Sequence, residues 1–416
     1  MLPSLPAMIE WSETHLSIRE MMRKFVQTEI APNIRELEHG DTPPYEVLRK
    51  MFAAFGIRDM GKMRADRAIA RAKKREEAKA RGEELPAKPE RAPSGDELAM
   101  QVIPIIELSR YCPGMVTALG VSVGLTANTI MSKGTSRQIE RWAPDLLSLD
   151  KIGAWAITEP GSGSDAFGSM KATARRSDDG AGYVLNGNKT FITNGPYADT
   201  IVFICKLADD PSKVLSFVLD KGTKGLVQSK PLKKMGLHSS PTGELFLDDV
   251  FVEKDRLLGE TEEISYRSGA KETFTAERTG VAAMALGIVD ECLSLSTEYA
   301  KTRVQFGRPI GEFQLVQLKL AKMEVARTNI QNLVFRMIEL ASAGKAMTLA
   351  EASACKLYCA GAAVEVALEA VQLFGGNGYM AEFRVEQLAR DAKVLQIYGG
   401  TDEIQISQIA RNLLAG

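Results

Sequence analysis

Apolar positions along the chain change period twice. From Thr14 to Ile30, Leu16, Met21, Phe25 and Val26 recur between charged residues at helical spacing, and Pro32 lies just beyond the run. Tyr45 to Phe55 repeats the pattern after Pro43-Pro44, and Leu98 to Leu108 and Gly114 to Met131 continue it. From Ile152 to about Val252 the signal becomes short β-branched and aromatic runs, VLNGNKTFITNG, TIVFICKL, VLSFVLD and GELFLDDVFV, separated by Gly, Asn, Asp and Pro. That pattern predicts an antiparallel β domain. From Glu272 helical spacing returns in four long segments, Val281 to Val304, Leu315 to Ala343, Leu349 to Phe374, and Val385 to the tail, which predict a bundle. The order predicts a mainly α protein with a central β domain, divided at 1–150, 151–260 and 261–416.

One stretch differs in kind. Lys62 to Arg91 carries eleven Lys/Arg against six Asp/Glu, many alanines and almost no large apolar residue. Its residues are strong helix formers, so an exposed helix or partly ordered excursion is expected, ended by Pro86, Pro89 and Pro93. It reads as a solvated insertion, with docking of an acidic partner as the functional alternative.

With 52 basic and 53 acidic residues in 416, the chain has no global reason to bind nucleic acid or an anionic membrane. Five scattered cysteines (Cys112, Cys205, Cys292, Cys355, Cys359) indicate a reduced, cytoplasmic setting. Cys355 and Cys359 are assigned to core packing, and the distant His15, His39 and His238 suggest no metal site. No targeting segment is read at the N-terminus, and no segment long and apolar enough to span a bilayer is expected.

Four stretches carry candidate chemistry. In AWAITEPGSGSDAFGSMKA, Gly161 and Gly163 allow close backbone approach to an anion or ring, and Thr158 and Ser164 offer hydroxyl donors. Its glycine spacing is not that of a dinucleotide fingerprint. FITNG sets an aromatic beside small donors on a strand. TRVQFGRPIGEFQ puts Arg303, Gln305, Phe306 and Arg308 around a helix break, where they can reach a phosphate or another subunit. The segment from Val371 to Gln405 is interrupted twice by paired glycines, Gly375-Gly376 and Gly399-Gly400.

Together these stretches resemble the acyl-CoA dehydrogenase family from about Ser12 to Ala415, sparing the charged insertion. The resemblance implies FAD held between the β domain and a C-terminal bundle, an acyl-CoA substrate, a homotetramer (a dimer of dimers) and an electron-transfer flavoprotein as acceptor. By motif position, Trp155, Ile157, Thr158, Gly163 and Ser164 would line the flavin, and Phe191, Ile192 and Thr193 would abut its ring. Arg303, Gln305, Phe306 and Gln314 would hold the nucleotide half across a subunit contact. Gln372 and Gly376 would belong to that contact, and Thr401 and Glu403, just after the catalytic loop, would also bind the cofactor. Ser164, Thr275, Arg278 and Tyr398 would lie by the substrate.

The resemblance also points to a base. Many members carry the catalytic glutamate after the tyrosine of the last loop, where this chain has Gly399. A smaller set, including isovaleryl-CoA and long-chain dehydrogenases, places it before the arginine of an earlier helix, where this chain has Glu277 before Arg278. Glu277 is therefore the expected base for α,β-dehydrogenation to a trans-2-enoyl-CoA. The missing side chain at 399 is expected to open room for a branched, cyclic or bulky acyl group. Two alternatives stand beside this: a flavin monooxygenase on the same fold, and a weakly catalytic partner subunit of a heteromeric dehydrogenase.

Overall fold

The computed structural model describes residues 10–83, 93–263 and 270–415, without the side chains of 270–276. Eight helices come first: α1 (Glu13–Phe25), α2 (Ile34–His39), α3 (Tyr45–Ala54), α4 (Ile57–Ala80), α5 (Gly95–Ser109), α6 (Pro113–Leu119), α7 (Asn128–Lys133) and α8 (Ser136–Leu147). Capping boxes at Ser94 and Thr135 start α5 and α8 by satisfying amides that the first turn leaves without partners. A π-helical stretch, Gly120–Ala127, joins α6 to α7.

Helix α4 corrects the expectation for the charged stretch. Ala65, Ala68 and Ala72 recur on one face and are buried with Trp142, Ala143 and Leu146 of α8. A Cβ at Gly61 would lie 2.5 Å from the carbonyl oxygen of Leu147, so the two backbones meet directly. The Glu76 carboxylate accepts from the amide and hydroxyl of Ser136 at 2.7 Å. Small side chains bury this face by close helix approach, which a search for large apolar residues misses. Residues 84–91 of the same stretch lie outside the described residues.

The strands are β1 (Gly153–Ala156), β2 (Thr173–Arg176), β3 (Gly182–Thr193), β4 (Thr200–Leu207), β5 (Val214–Asp220), β6 (Leu226–Gln228) and β7 (Thr242–Glu253). They form one mixed sheet, in place of the antiparallel one expected: β1 and β2 both run parallel to β4, along the edge opposite β5. Local alternation reports strands but not the direction in which the chain returns to a neighbour. TIVFICKL reads as an unbroken apolar run because β4 is covered twice. Ile201, Phe203 and Cys205 face the sheet's own core, while Val202 and Ile204 face α8.

The C-terminal part comprises α9 (Ala270–Thr302), a short hairpin of β8 (Val304–Gln305) and β9 (Arg308–Pro309), α10 (Gln314–Ser342), α11 (Leu349–Phe374), α12 (Val385–Lys393) and α13 (Asp402–Leu414). Helix α9 is its axis, with Val281 to Cys292 buried against α5, α10 and α11. It starts well before Val281, so Glu277 stands inside the helix. The single last helix expected from Val385 onward is two, because Gly399 (φ +62°) and Gly400 (φ +86°) turn the chain through the left-handed region.

Three helical spans, Pro113–Lys133, Glu277–Thr302 and Leu349–Tyr379, are long and apolar enough to cross a membrane by length and composition. This corrects the expectation that none would be. A helix packed on several sides needs apolar residues around most of its circumference, and two thirds of the Glu277–Thr302 window is buried inside the fold.

Candidate active site

The first group of predicted residues follows β1. Lys189 of β3 is completely buried and donates from Nζ to the Ile157 carbonyl and to Glu159 Oε1, both at 2.9 Å. Glu159 also accepts from the amides of Lys171 and Ala172, at 2.6 and 3.0 Å. The Thr190 amide donates to the Thr158 carbonyl at 2.9 Å. These bonds press the turn that carries Ile157, Thr158, Gly163 and Ser164 against the strand that carries Phe191. Trp155 and Ile157 stay partly exposed, Gly163 and Ser164 are exposed, and open space lies where a Cβ would stand on Gly161 or Gly163.

Phe191 sits at a register shift between β3 and β7, with φ +56°. A bulky residue held in the left-handed region is strained, and such strain concentrates at ligand sites. The bulge turns the ring outward, where it is 69% exposed. Ile192 faces the sheet core, so it can offer a ligand only backbone, and Thr193 is half-buried.

The second group gathers around Glu277. A Cβ built on Gly399 would lie 3.4 Å from Glu277 Cδ and 3.6 Å from its Oε1. The carboxyl from α9 thus reaches the place where a side chain at 399 would begin. The Glu277 carboxyl therefore shares the space beside Gly399 that was expected to be left open. Glu277 is partly buried, and burial pushes its carboxyl above the ordinary range, with Arg278 and Lys356 pulling against it. Arg278 is 5% exposed and donates from Nη1 to Ser353 Oγ at 2.9 Å, so it is a buried charge beside Glu277. The Tyr398 hydroxyl donates to Met284 Sδ at 3.2 Å. Burial raises its pKa, opposed by the nearby Thr117 hydroxyl. Thr401 caps α13 by accepting from the Ile404 amide at 3.4 Å, and Glu403 is exposed in the first turn. The side chain of Thr275 lies outside the described residues.

Helix α6 is tied to the first group: the Ala118 carbonyl accepts from Asn194 Nδ2 at 2.9 Å. The same Nδ2 donates to Gly153 of β1 at 2.9 Å.

The third group lies elsewhere. Arg303, Gln305, Phe306 and Gln314 are all exposed, and Phe306 (φ +52°) and Gly307 (φ +78°) form the two-residue turn of the β8–β9 hairpin. Tyr299 stacks on Phe374 at 4.0 Å and accepts from Asn377, which brings Gln372 and Gly376 to the same surface. At 1.5 Å per residue, Arg303 is roughly 40 Å from Glu277 along α9.

The sequence reading missed Glu159, Lys189, Asn194, Lys356 and Gln405. Its available signal was a charged or amide residue inside an apolar run, as in CKLYCAGAA and NKTFITNG.

The descriptions "Acyl-CoA dehydrogenase, N-terminal domain" (residues 12–61 and 72–150), "middle domain" (154–250) and "C-terminal domain" (268–414) match this sequence. An acyl-CoA dehydrogenase of Bacillus subtilis is 36% identical over 97% of this chain and 99% of its own. The structure of butyryl-CoA dehydrogenase from Megasphaera elsdenii superposes with a TM-score of 0.81 at 32% identity, covering 97% of this chain and 99% of that one. An acyl-CoA dehydrogenase from Bacillus anthracis complexed with FAD superposes with a TM-score of 0.77 at 28% identity, over 98% of this chain and 68% of that one.

Proposed function

The chain belongs to the acyl-CoA dehydrogenase family, and we propose that Glu277 is the group that takes the α-proton of its acyl-CoA substrate. The protein is an FAD-dependent oxidoreductase acting on a CH–CH bond of an acyl-CoA thioester. The observation that carries the assignment of the base is the approach of the Glu277 carboxyl to the place that a Cβ on Gly399 would occupy. Both family base positions converge on one volume, and only one of them supplies a carboxylate.

The residues present suit FAD. An outward aromatic on a strained bulge, open hydroxyls on the adjoining turn and glycines without steric neighbours make a surface for a flat ring. Trp155, Thr158, Ser164 and Phe191 to Thr193 would hold the isoalloxazine. When bound, the flavin accepts the substrate's β-hydrogen as hydride. The protein does the rest. Glu277 takes the α-proton on a carboxylate oxygen as the α C–H bond breaks, leaving a trans-2-enoyl-CoA. Partial desolvation brings its pKa toward working pH, where a base is both ionised and strong enough. Arg278, held by Ser353, keeps the ionised form accessible.

The nucleotide half would be held by Arg303, Gln305, Phe306, Gln314, Gln372 and Gly376 of a second copy. The separation of Arg303 from Glu277 along α9 and the 94% exposure of Phe306 support that reading and, with it, a homotetramer. An electron-transfer flavoprotein is proposed as acceptor, and a cytoplasmic location rests on five buried, unpaired thiols.

The test is anaerobic. The purified protein should be yellow and should bleach on adding an acyl-CoA. Loss of bleaching across straight, branched and aryl acyl-CoAs would overturn the reading.

A further inference from the structure

Behind the base stands a charge that the mechanism above does not use. Lys356, on the apolar helix α11, is 0% exposed. Its Nζ donates to the Gly400 carbonyl at 2.8 Å and lies 3.4 Å from Asp402 Oδ1. Burying an ammonium group is costly unless good partners hold it, and an apolar side chain would pack there without that cost. The partners are themselves informative. Gly400 is the neighbour of Gly399, against which the Glu277 carboxyl rests, and a Cβ on Gly400 would lie 3.8 Å from Arg278 Nη2. Gln405, also fully buried, donates to the carbonyls of Gly399 and Gly400 at 3.1 and 2.7 Å. Two buried donors therefore fix a turn made of two left-handed glycines.

We infer that Lys356 is a positioning residue for the dehydrogenation: it anchors the Gly399–Gly400 turn as the wall behind Glu277 and sets a buried positive charge near the base. The inference rests on Glu277 being that base. The groups facing the base are Arg278 on its own helix, Lys356 from α11 and Tyr398 from the turn, with Asp402 of α13 acting through Lys356. Burial raises the Glu277 carboxyl, while Arg278 and Lys356 lower it. Removing the lysine charge must leave the base harder to ionise. Removing Asp402, the counter-charge, must do the opposite.

The experiment measures flavin reduction by acyl-CoA in the holoenzyme as a function of pH for wild type, Lys356→Met, Lys356→Arg, Asp402→Asn and Glu277→Gln. Lys356→Met should shift the acid limb of kcat/KM up by about one pH unit. Lys356→Arg should return most of that shift, and Asp402→Asn should move the limb down. A loss of rate in Lys356→Met with the limb unmoved and no return in Lys356→Arg would mean a merely structural lysine and overturn the inference. If Lys356→Met gives no yellow protein, Asp402→Asn decides: a downward shift supports the inference and an unmoved limb overturns it. Near-normal bleaching in Glu277→Gln would overturn both this and the assignment of the base, whereas its loss together with an unmoved limb sinks only the role of Lys356.

Discussion

Glu159 and Glu277 are both enclosed carboxylates with a lysine nearby, yet their surroundings make opposite use of them. At Glu159 burial pushes the carboxyl up, but Lys189 and the amides of Lys171 and Ala172 more than compensate, so its pKa falls below the ordinary value. That carboxylate is satisfied and ties a turn to a strand. At Glu277 burial wins over Arg278 and Lys356, and the pKa is raised. A carboxylate whose hydrogen bonds are complete holds structure. One whose lost hydration is only partly replaced is free to exchange a proton.

The sharpest way to break this contrast is Glu277→Gln. Turnover should fall about 10³-fold with FAD retained, measured as the rate of anaerobic bleaching. Survival of bleaching within tenfold of wild type would remove the contrast altogether. Glu159→Gln should act on the fold instead. It leaves the buried Lys189 without its counter-charge, a loss of about 3–5 kcal/mol in urea unfolding, and pairing it with Lys189→Met should recover much of that. An unchanged midpoint in Glu159→Gln would show that this pair, too, is dispensable.

The pH dependence separates the two sites. In the proposed role of Glu277 its ionised form is the active one, so kcat/KM should fall as pH drops through a value above the ordinary carboxylate range. A limb at or below that range would contradict burial as the controlling influence. A third carboxylate, Glu38, extends the comparison to stability. Burial and neighbouring Asp391 push it up to about 8 from an ordinary 4.5. Its folded pKa exceeds its unfolded one, so its contribution is full below 4.5 and is lost as pH rises to about 8. Glu38→Gln should flatten that part of the stability profile and raise the melting temperature at pH 8. A steeper profile would refute it. The smallest effect is expected for Thr401→Ala, which removes the cap of α13 and should cost about 1 kcal/mol in unfolding, with turnover lowered less than tenfold.

Much of this was legible in the chain. The change of hydrophobic period separates helices from strands because a 3.6 repeat and a 2 repeat are properties of the residues alone. The paired glycines at 399–400 announced a break, since a left-handed backbone without a Cβ needs no tertiary argument. Glu277 was legible only by resemblance. Nothing in KETFTAERTG states where its carboxylate goes.

Other features depended on neighbours distant in sequence. Alanine gives no hydrophobic signal of its own, so the packed face of α4 became visible only against α8. The parallel pairing of β1 and β2 with β4 was set by the path of the chain between strands. The charges of Lys189 and Lys356 look like surface residues in sequence, and their burial is decided by partners 30 and 44 positions away. Sequence by itself determined most of the elements and their order, and pointed to Glu277 only through the family resemblance. Only the tertiary structure decided that this carboxylate would share the space beside Gly399, because desolvation and contact are properties of a neighbourhood that the chain assembles from both ends of its C-terminal bundle.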